Sequence, residues 1–447
     1  MTHRLAVSLP VVLAGLLHGC TCGSRSHLST TDAPTGDAEP SASTAAAPRL
    51  PSAETPAVFS APLAAARLAH GNAVAGLVAA DGAVRVLRVA EEGSVEWSAD
   101  AFRDAVWGAD ADLRVFPAAD GAAVVWRGPR DGSMGRSLLV LGADGAPKDQ
   151  APIEVGPSFC GTADGLAWIE PHAGAATRVR SRRWSEATVG DVAGLAPDRD
   201  VSLVCGEHAV LILGDGEDDL TLTSFVPGDV SAQPPVVAIR ESDFGDDDER
   251  EHDAYSFGDD LGLVWIGGSG TLLLREVPRG GTPTRWHRLK HAIGDEDDVV
   301  AVDGDAAFTY VVYIHETDEA CPDLVSSPTS VRAIVADRAA GTDARFELAP
   351  PTCDRSAGPF WIAPAPGGAA IAWVERVAEV DTHAPPITGV ALRTIRDGAV
   401  QASRIDLAAD AVVDAGCDSR ACFLAALERV PDGDGMQPGP VRLIPYP

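Results

Sequence analysis

The sequence predicts an all-β fold: a β-propeller of eight four-stranded blades, with seven as the alternative count, closed by an N-terminal strand that completes the last blade. Three observations predict it. Short apolar runs recur at intervals near fifty residues. Each unit holds further strand-length runs bounded by turns rich in Gly and Asp. The last unit is one strand short, while an extra strand precedes the first. Helical 3.6-residue periodicity is absent from the body.

The recurring run is "DGAAVVWRG" at Trp126, "DGLAWIE" at Trp168, "EHAVLILG" at Leu213, "DLGLVWIGG" at Trp265, "AFTYVVYIHE" at Tyr313, "GGAAIAWVER" at Trp373 and "ACFLAALERV" at Leu427, with "NAVAGLVAADG" near Val78 as a weaker first copy. A period of 40–50 residues with several short strands per unit is the signature of propeller blades. The fourth unit is the cleanest: "VSLVCG", "HAVLILG", "DLTLTSFV" and "PPVVAIR" are strands with turn residues between them. Continuous apolar runs, in place of strict alternation, predict strands buried on both faces. The last unit reads "AVVDAGC", "CFLAALERV", "VRLIPYP" and stops. The segment "AVFSAPLAAARL", from Ala57, supplies the missing strand, and a closed ring has no unpaired edges.

Residues 1–19 read as a signal peptide. Leu5 to Leu17 are almost wholly apolar, too short for a bilayer span of about 20 residues but right for a secretory core. "LLHGC", ending at Cys20, resembles the lipobox of bacterial lipoproteins, with His18 where that family has a small residue. The resemblance implies acylation of Cys20 and anchoring by several chains, each buried CH₂ adding about 0.8 kcal/mol. Thr21, in place of the Asp that retains some lipoproteins at the inner membrane, points to the outer membrane, on its periplasmic side or at the cell surface. Residues 20–56 are Ser, Thr, Ala, Pro and Gly with few large apolar side chains, and read as a disordered linker with a mean span of about 30–35 Å. Residues 57–447 form the propeller. Short pieces such as "APAPGGAAIAW" resemble the strand turns of Tol-associated periplasmic propellers, which implies fold alone. The WD dipeptide with its upstream GH, the sialidase Asp box and a kelch signature are all absent.

The net charge of −30 argues against nucleic acid as a partner and disfavours docking on an anionic bilayer, so membrane contact is expected through the lipid alone. Besides Cys20 the cysteines are Cys22, Cys160, Cys205, Cys321, Cys353, Cys417 and Cys422. An exported chain keeps disulfides. Cys417 and Cys422 flank four residues of a hairpin, Cys321 and Cys353 stand at the two ends of one repeat, and Cys160 and Cys205 hold matching positions one repeat apart. No spacing suits zinc.

Four groups of side chains are weighed as sites. Trp126, Trp168, Trp265 and Trp373 recur at one repeat position, where packing between blades is expected over sugar stacking. "ESDFGDDDEREHD", Glu241 to Asp253, offers oxygen ligands for Ca²⁺ at Asp246, Asp247, Asp248, Glu249 and Asp253. It lacks the order of a calcium loop and is expected to be a solvated loop. Arg178, Arg180 and Arg182 share one face of a strand and are expected to be exposed. His172, His208, His252, His287, His291 and His315 are scattered, and no hydrolase, phosphate-loop or dinucleotide motif accompanies them. No cofactor is expected beyond that weak possibility of Ca²⁺. The functional expectation is a non-enzymatic binding or scaffolding module for an envelope protein or glycan. The alternative is a glycan-acting hydrolase or lyase with its site at one end of the ring.

Overall fold

A computed structural model describes residues 53–446, apart from short connecting segments such as 171–177, 193–199, 241–249, 322–327 and 378–385. The described residues form eight four-stranded antiparallel sheets arranged in a ring, strands pairing in sequence order except in the last blade, where Cys422–Leu427 pairs with Gly439–Tyr446 past a small hairpin. The innermost strands of blades 2 to 8 are Asp112–Ala118, Ser158–Gly161, Asp200–Cys205, Arg250–Phe257, Asp298–Gly304, Arg355–Ala365 and Val412–Cys417.

The recurring apolar run is the second strand of each blade, from Asn72–Val78 in blade 1 to Cys422–Leu427 in blade 8. These strands are buried along almost their whole length. The reason is geometric: each sheet is covered on both faces by its neighbours, so the middle of the second strand is shielded from water and only its ends, such as Glu316, reach it. Eight apolar clusters follow, one at each junction between adjacent blades. The cluster joining the last blade to the first contains Phe423, Leu427 and Leu443 together with Phe59, Val74 and Leu87, so the ring is closed and has eight members.

Closure is more economical than the sequence predicts. The first strand, β1 (Ala53–Arg67), serves two blades. Its first half pairs with Gly439–Tyr446 and is the outermost strand of blade 8, with Ala53 opposite Leu443 and Phe59 opposite Gly439. After a bulge between Ser60 and Leu63, its second half pairs with Asn72–Val78 and is the innermost strand of blade 1. The weak first copy is therefore a full blade whose innermost strand is shared. β1 begins at Ala53, inside the segment read as linker.

At two junctions an aromatic ring of one innermost strand lies over a glycine ending the next. Phe116 covers Gly161 and Tyr255 covers Gly304, where an added Cβ would stand 2.6 and 2.5 Å from the ring. Two of the cysteine pairs weighed above form disulfides. Cys160–Cys205 ties the innermost strands of blades 3 and 4 with Cα atoms 5.8 Å apart, and Cys321–Cys353 ties the second-to-third connection of blade 6 to the segment that leads into blade 7, at 5.6 Å. Cys417 and Cys422 are directly opposed in backbone register, and their side chains lie outside the described residues.

Candidate functional site

Antiparallel order gives the ring two unlike ends. At one, the turn end, the connections between innermost and second strands ring the central mouth with two to four residues each. The third-to-fourth connections lie on the same side, toward the rim. At the other, the loop end, second-to-third and blade-to-blade connections emerge, up to the twelve residues of 317–328. By sequence, the segments that link second to third strands and blade to blade hold 26 Asp and Glu against four Lys and Arg, and those that link first to second and third to fourth strands hold 13 against five.

The turn end is knitted together by its own polar groups. The Ala163 N–H donates to the Glu207 carbonyl at 2.8 Å and the Glu207 N–H to that of Gly258 at 2.7 Å, linking three successive turns. Asp259 Oδ1 accepts from the N–H groups of His208 and Ala209 at 2.9 and 2.8 Å. Burial pulls the Asp259 carboxyl up, but those two donors and the nearby Arg279 outweigh it and hold it below its usual range. His208 Nδ1 stands 2.9 Å from Asp164 Oδ2, spanning blades 3 and 4. The innermost turns of these blades are thus engaged in joining blades.

The loop end has one well-fastened element, residues 289–297, which carries the chain from blade 5 to blade 6. His291 Nδ1 lies 2.6 Å from Asp343 Oδ2, on the outermost strand of blade 6. Asp297 Oδ1 lies 2.6 Å from the Nδ1 of His315, at the loop end of the second strand of that blade. Both carboxylates are buried, at 3% and 4% side-chain exposure, while the rings are about a quarter exposed. Asp343 also accepts from the N–H groups of Lys290 and His291. Burial pulls it up, yet these donors and the His291 ring keep it below the ordinary carboxylate range. The connection is thereby pinned twice, once by its own histidine and once by its own aspartate.

The structure separates most residues singled out by sequence. Cys20, Asp246, Asp247, Asp248, Glu249 and His172 lie outside the described residues. Asp253 does not belong to a solvated loop. It sits in the innermost strand of blade 5, opposite Val264, because the acidic run ends in strand Arg250–Phe257. Among the described residues no group of three or more His, Cys, Asp or Glu is placed to hold a metal ion. The four tryptophans are buried between blades, with Trp168 and Trp373 at 0% and 1% exposure. The arginine face is not uniformly exposed. Arg182 is buried and donates through Nε to the Glu186 carbonyl, while Arg180 pairs with Glu170 and Asp191 at 3.1 and 2.9 Å. His252 lies in the innermost strand of blade 5, opposite Trp265, and His287 in the outermost.

Sequence reading missed two carboxylates of the innermost strands. Asp303, in blade 6, is pushed up to about 7 by burial, with Asp305 adding to it. Asp414, in blade 8, is pushed up to about 6 by burial and accepts from the Ala65 N–H of β1 at 2.8 Å across the closing junction. Their signal is a lone Asp inside an apolar strand, in "AVDG" and "VVDAG". Such groups keep their proton in the folded ring while the unfolded chain loses it near pH 4, so their contribution favours folding at low pH and is lost as pH rises through 6 to 7. Asp303→Asn is therefore expected to be more stable than the parent at pH 8, by about 2–4 kcal/mol, and close to it at pH 4. Urea unfolding at the two pH values reads the difference. A gain of equal size at both would refute the burial account.

No protein-family model and no curated protein matches this sequence. Among solved structures the chain is similar to the WD40 domain of SCAP from fission yeast, at 9% identity and a TM-score of 0.48, over 89% of this chain and 98% of that one. It is similar to prolyl oligopeptidase B from Galerina marginata, at 9% identity and a TM-score of 0.45, over 75% of this chain and 51% of that one, so the match spans about half the length of the peptidase. Kuenenia stuttgartiensis hydrazine synthase gives 10% identity and a TM-score of 0.37, over 66% of this chain and 95% of that one. At these levels the assignment rests on the strand pairing and the eight junctions themselves. The chain is an eight-bladed β-propeller with a polar-knitted turn end and an acid-rich loop end.

Proposed function

We propose that the protein is an exported lipoprotein, acylated at Cys20, whose propeller is a binding or scaffolding module offering its loop end to a protein or glycan partner of the cell envelope. The observation that carries this reading is the division of labour between the ends. The turn end uses its polar groups to join blades, and the blade-to-blade connections, with the twelve-residue segment 317–328, leave from the other end, where loops on a rigid frame serve recognition. The two disulfides suit an oxidising, exported setting. The loop-end charge favours a cationic partner surface.

A photo-crosslinking residue placed at Glu316, exposed at the loop end, is expected to trap a discrete partner in intact envelopes. The same residue at Ala306, exposed in a turn at the opposite end, is expected to trap none. Equal yields at the two positions, or no adduct at Glu316, would count against the reading. Cys20→Ser is expected to move the protein from the membrane fraction to the soluble exported fraction. Unchanged partitioning would remove the anchor.

The second reading, a hydrolase or lyase acting on envelope glycans, has one observation in its favour: the Asp297–His315 pair at the loop end places a carboxylate behind an imidazole. His291 and Asp343 form an equivalent bond in the same connection, where it fastens a loop, and this ranks the binding reading first.

A further inference from the structure

The path of β1 fixes where any membrane tether joins the body. Residues 53–59 run antiparallel to Gly439–Tyr446, and Tyr446, at the far end of that strand, lies opposite Cys422. Cys422 opens the second strand of blade 8 directly after its four-residue turn, so it marks the turn end. The chain preceding Ala53 therefore approaches from the turn-end side of the rim. β1 climbs from there toward the loop end, reaches it near Ser60, which pairs with Leu77, and descends along the centre to Arg67.

Charge points the same way by separate means. By sequence, the segments that leave and re-enter the ring at the loop end hold twice as many acidic residues as those at the turn end and fewer basic ones. Anionic headgroups repel such a surface over about one Debye length, roughly 8–10 Å, which biases whichever end lies nearest the membrane. Attachment and repulsion thus act in one direction.

We infer that the propeller is held with its turn end toward the membrane and its acid-rich loop end facing away, an orientation that rests on the lipid-anchor reading above. The surface offered to partners is then the one with the long connections, while the knitted end faces the lipid.

The test uses the full-length acylated chain in vesicles of phosphatidylethanolamine and phosphatidylglycerol with an acceptor dye on outer headgroups. A donor dye is attached through an azide-bearing residue at Ala306 in one sample and at Glu316 in another. These exposed positions flank the strand Phe308–Glu316, so they are separated by about 25–30 Å of extended chain. Energy transfer from Ala306 is expected to exceed that from Glu316 by about twofold or more, a linker spanning about 30–35 Å leaving the body some freedom to tilt. Equal or inverted transfer from chains that float with the vesicles would overturn the orientation and leave the anchor standing. Failure of the full-length chain to float, with Cys20→Ser behaving identically, would overturn the anchor and the orientation with it.

Discussion

A chain lacking Ala57–Arg67 is expected to lose its cooperative unfolding transition, or to melt at least about 10 °C below the parent. The deletion removes the whole ladder to Asn72–Val78 and half of the one to Gly439–Tyr446, so two blades lose most of an edge strand. It also removes Phe59, Leu63, Ala64, Ala65 and Ala66, all buried. Full burial of each large side chain is worth about 1.5–3 kcal/mol. Set against a net stability of about 5–15 kcal/mol, losing two such side chains with the ladders exhausts most of it. Phe59→Ala probes the same junction more gently. Phe59 is fully buried and its ring lies over Gly76, so truncation is expected to cost about 3–5 kcal/mol. Scanning calorimetry reads both variants, and an unaltered melting temperature in the deletion would disprove closure through β1.

The second large effect is expected at Trp373. Its ring is buried at the junction of blades 6 and 7, with the Phe360 ring centroid 5.9 Å away and the Arg393 guanidinium 5.0 Å from its face. Arg393 in turn donates to the carbonyls of Leu348 and Ser403, so the ring supports an inter-blade hydrogen bond as well as apolar contact. Trp373→Ala is expected to destabilise by about 3–5 kcal/mol, seen as a lower urea midpoint at unchanged slope. A sugar-stacking tryptophan would behave in the opposite way, losing ligand capture at unchanged stability.

These residues also show what the sequence carried. "GGAAIAWVER" was readable as a strand because both of its faces meet other blades, and continuous burial leaves an unbroken apolar run. Pairing of Cys160 with Cys205 followed from their equal place in successive repeats. Innermost strands were harder to see. Ser158–Gly161 spans four residues of mixed character, and Arg250–Phe257 is masked by the acidic run before it, because strands beside the central mouth tolerate polar side chains. The two histidine–aspartate bonds were not legible at all. Their partners lie 52 and 18 residues apart: strand pairing in blade 6, with Asp298 opposite Ile314, sets Asp297 beside His315, and His291 meets Asp343 only where blades 5 and 6 pack together.

Sharing one strand between two blades also orders events during synthesis. Among the described elements β1 is made first and its partner Gly439–Tyr446 last. The Ala65–Asp414 hydrogen bond across the junction joins residues 349 positions apart. Until the final blade has been made, the opening strand has a mate on one side only, and the half-built fan presents adhesive edges to any neighbouring chain. Synthesis that halts before Gly439–Tyr446 therefore leaves behind a product prone to clump or be degraded, and a check on that one junction reports whether the ring has sealed.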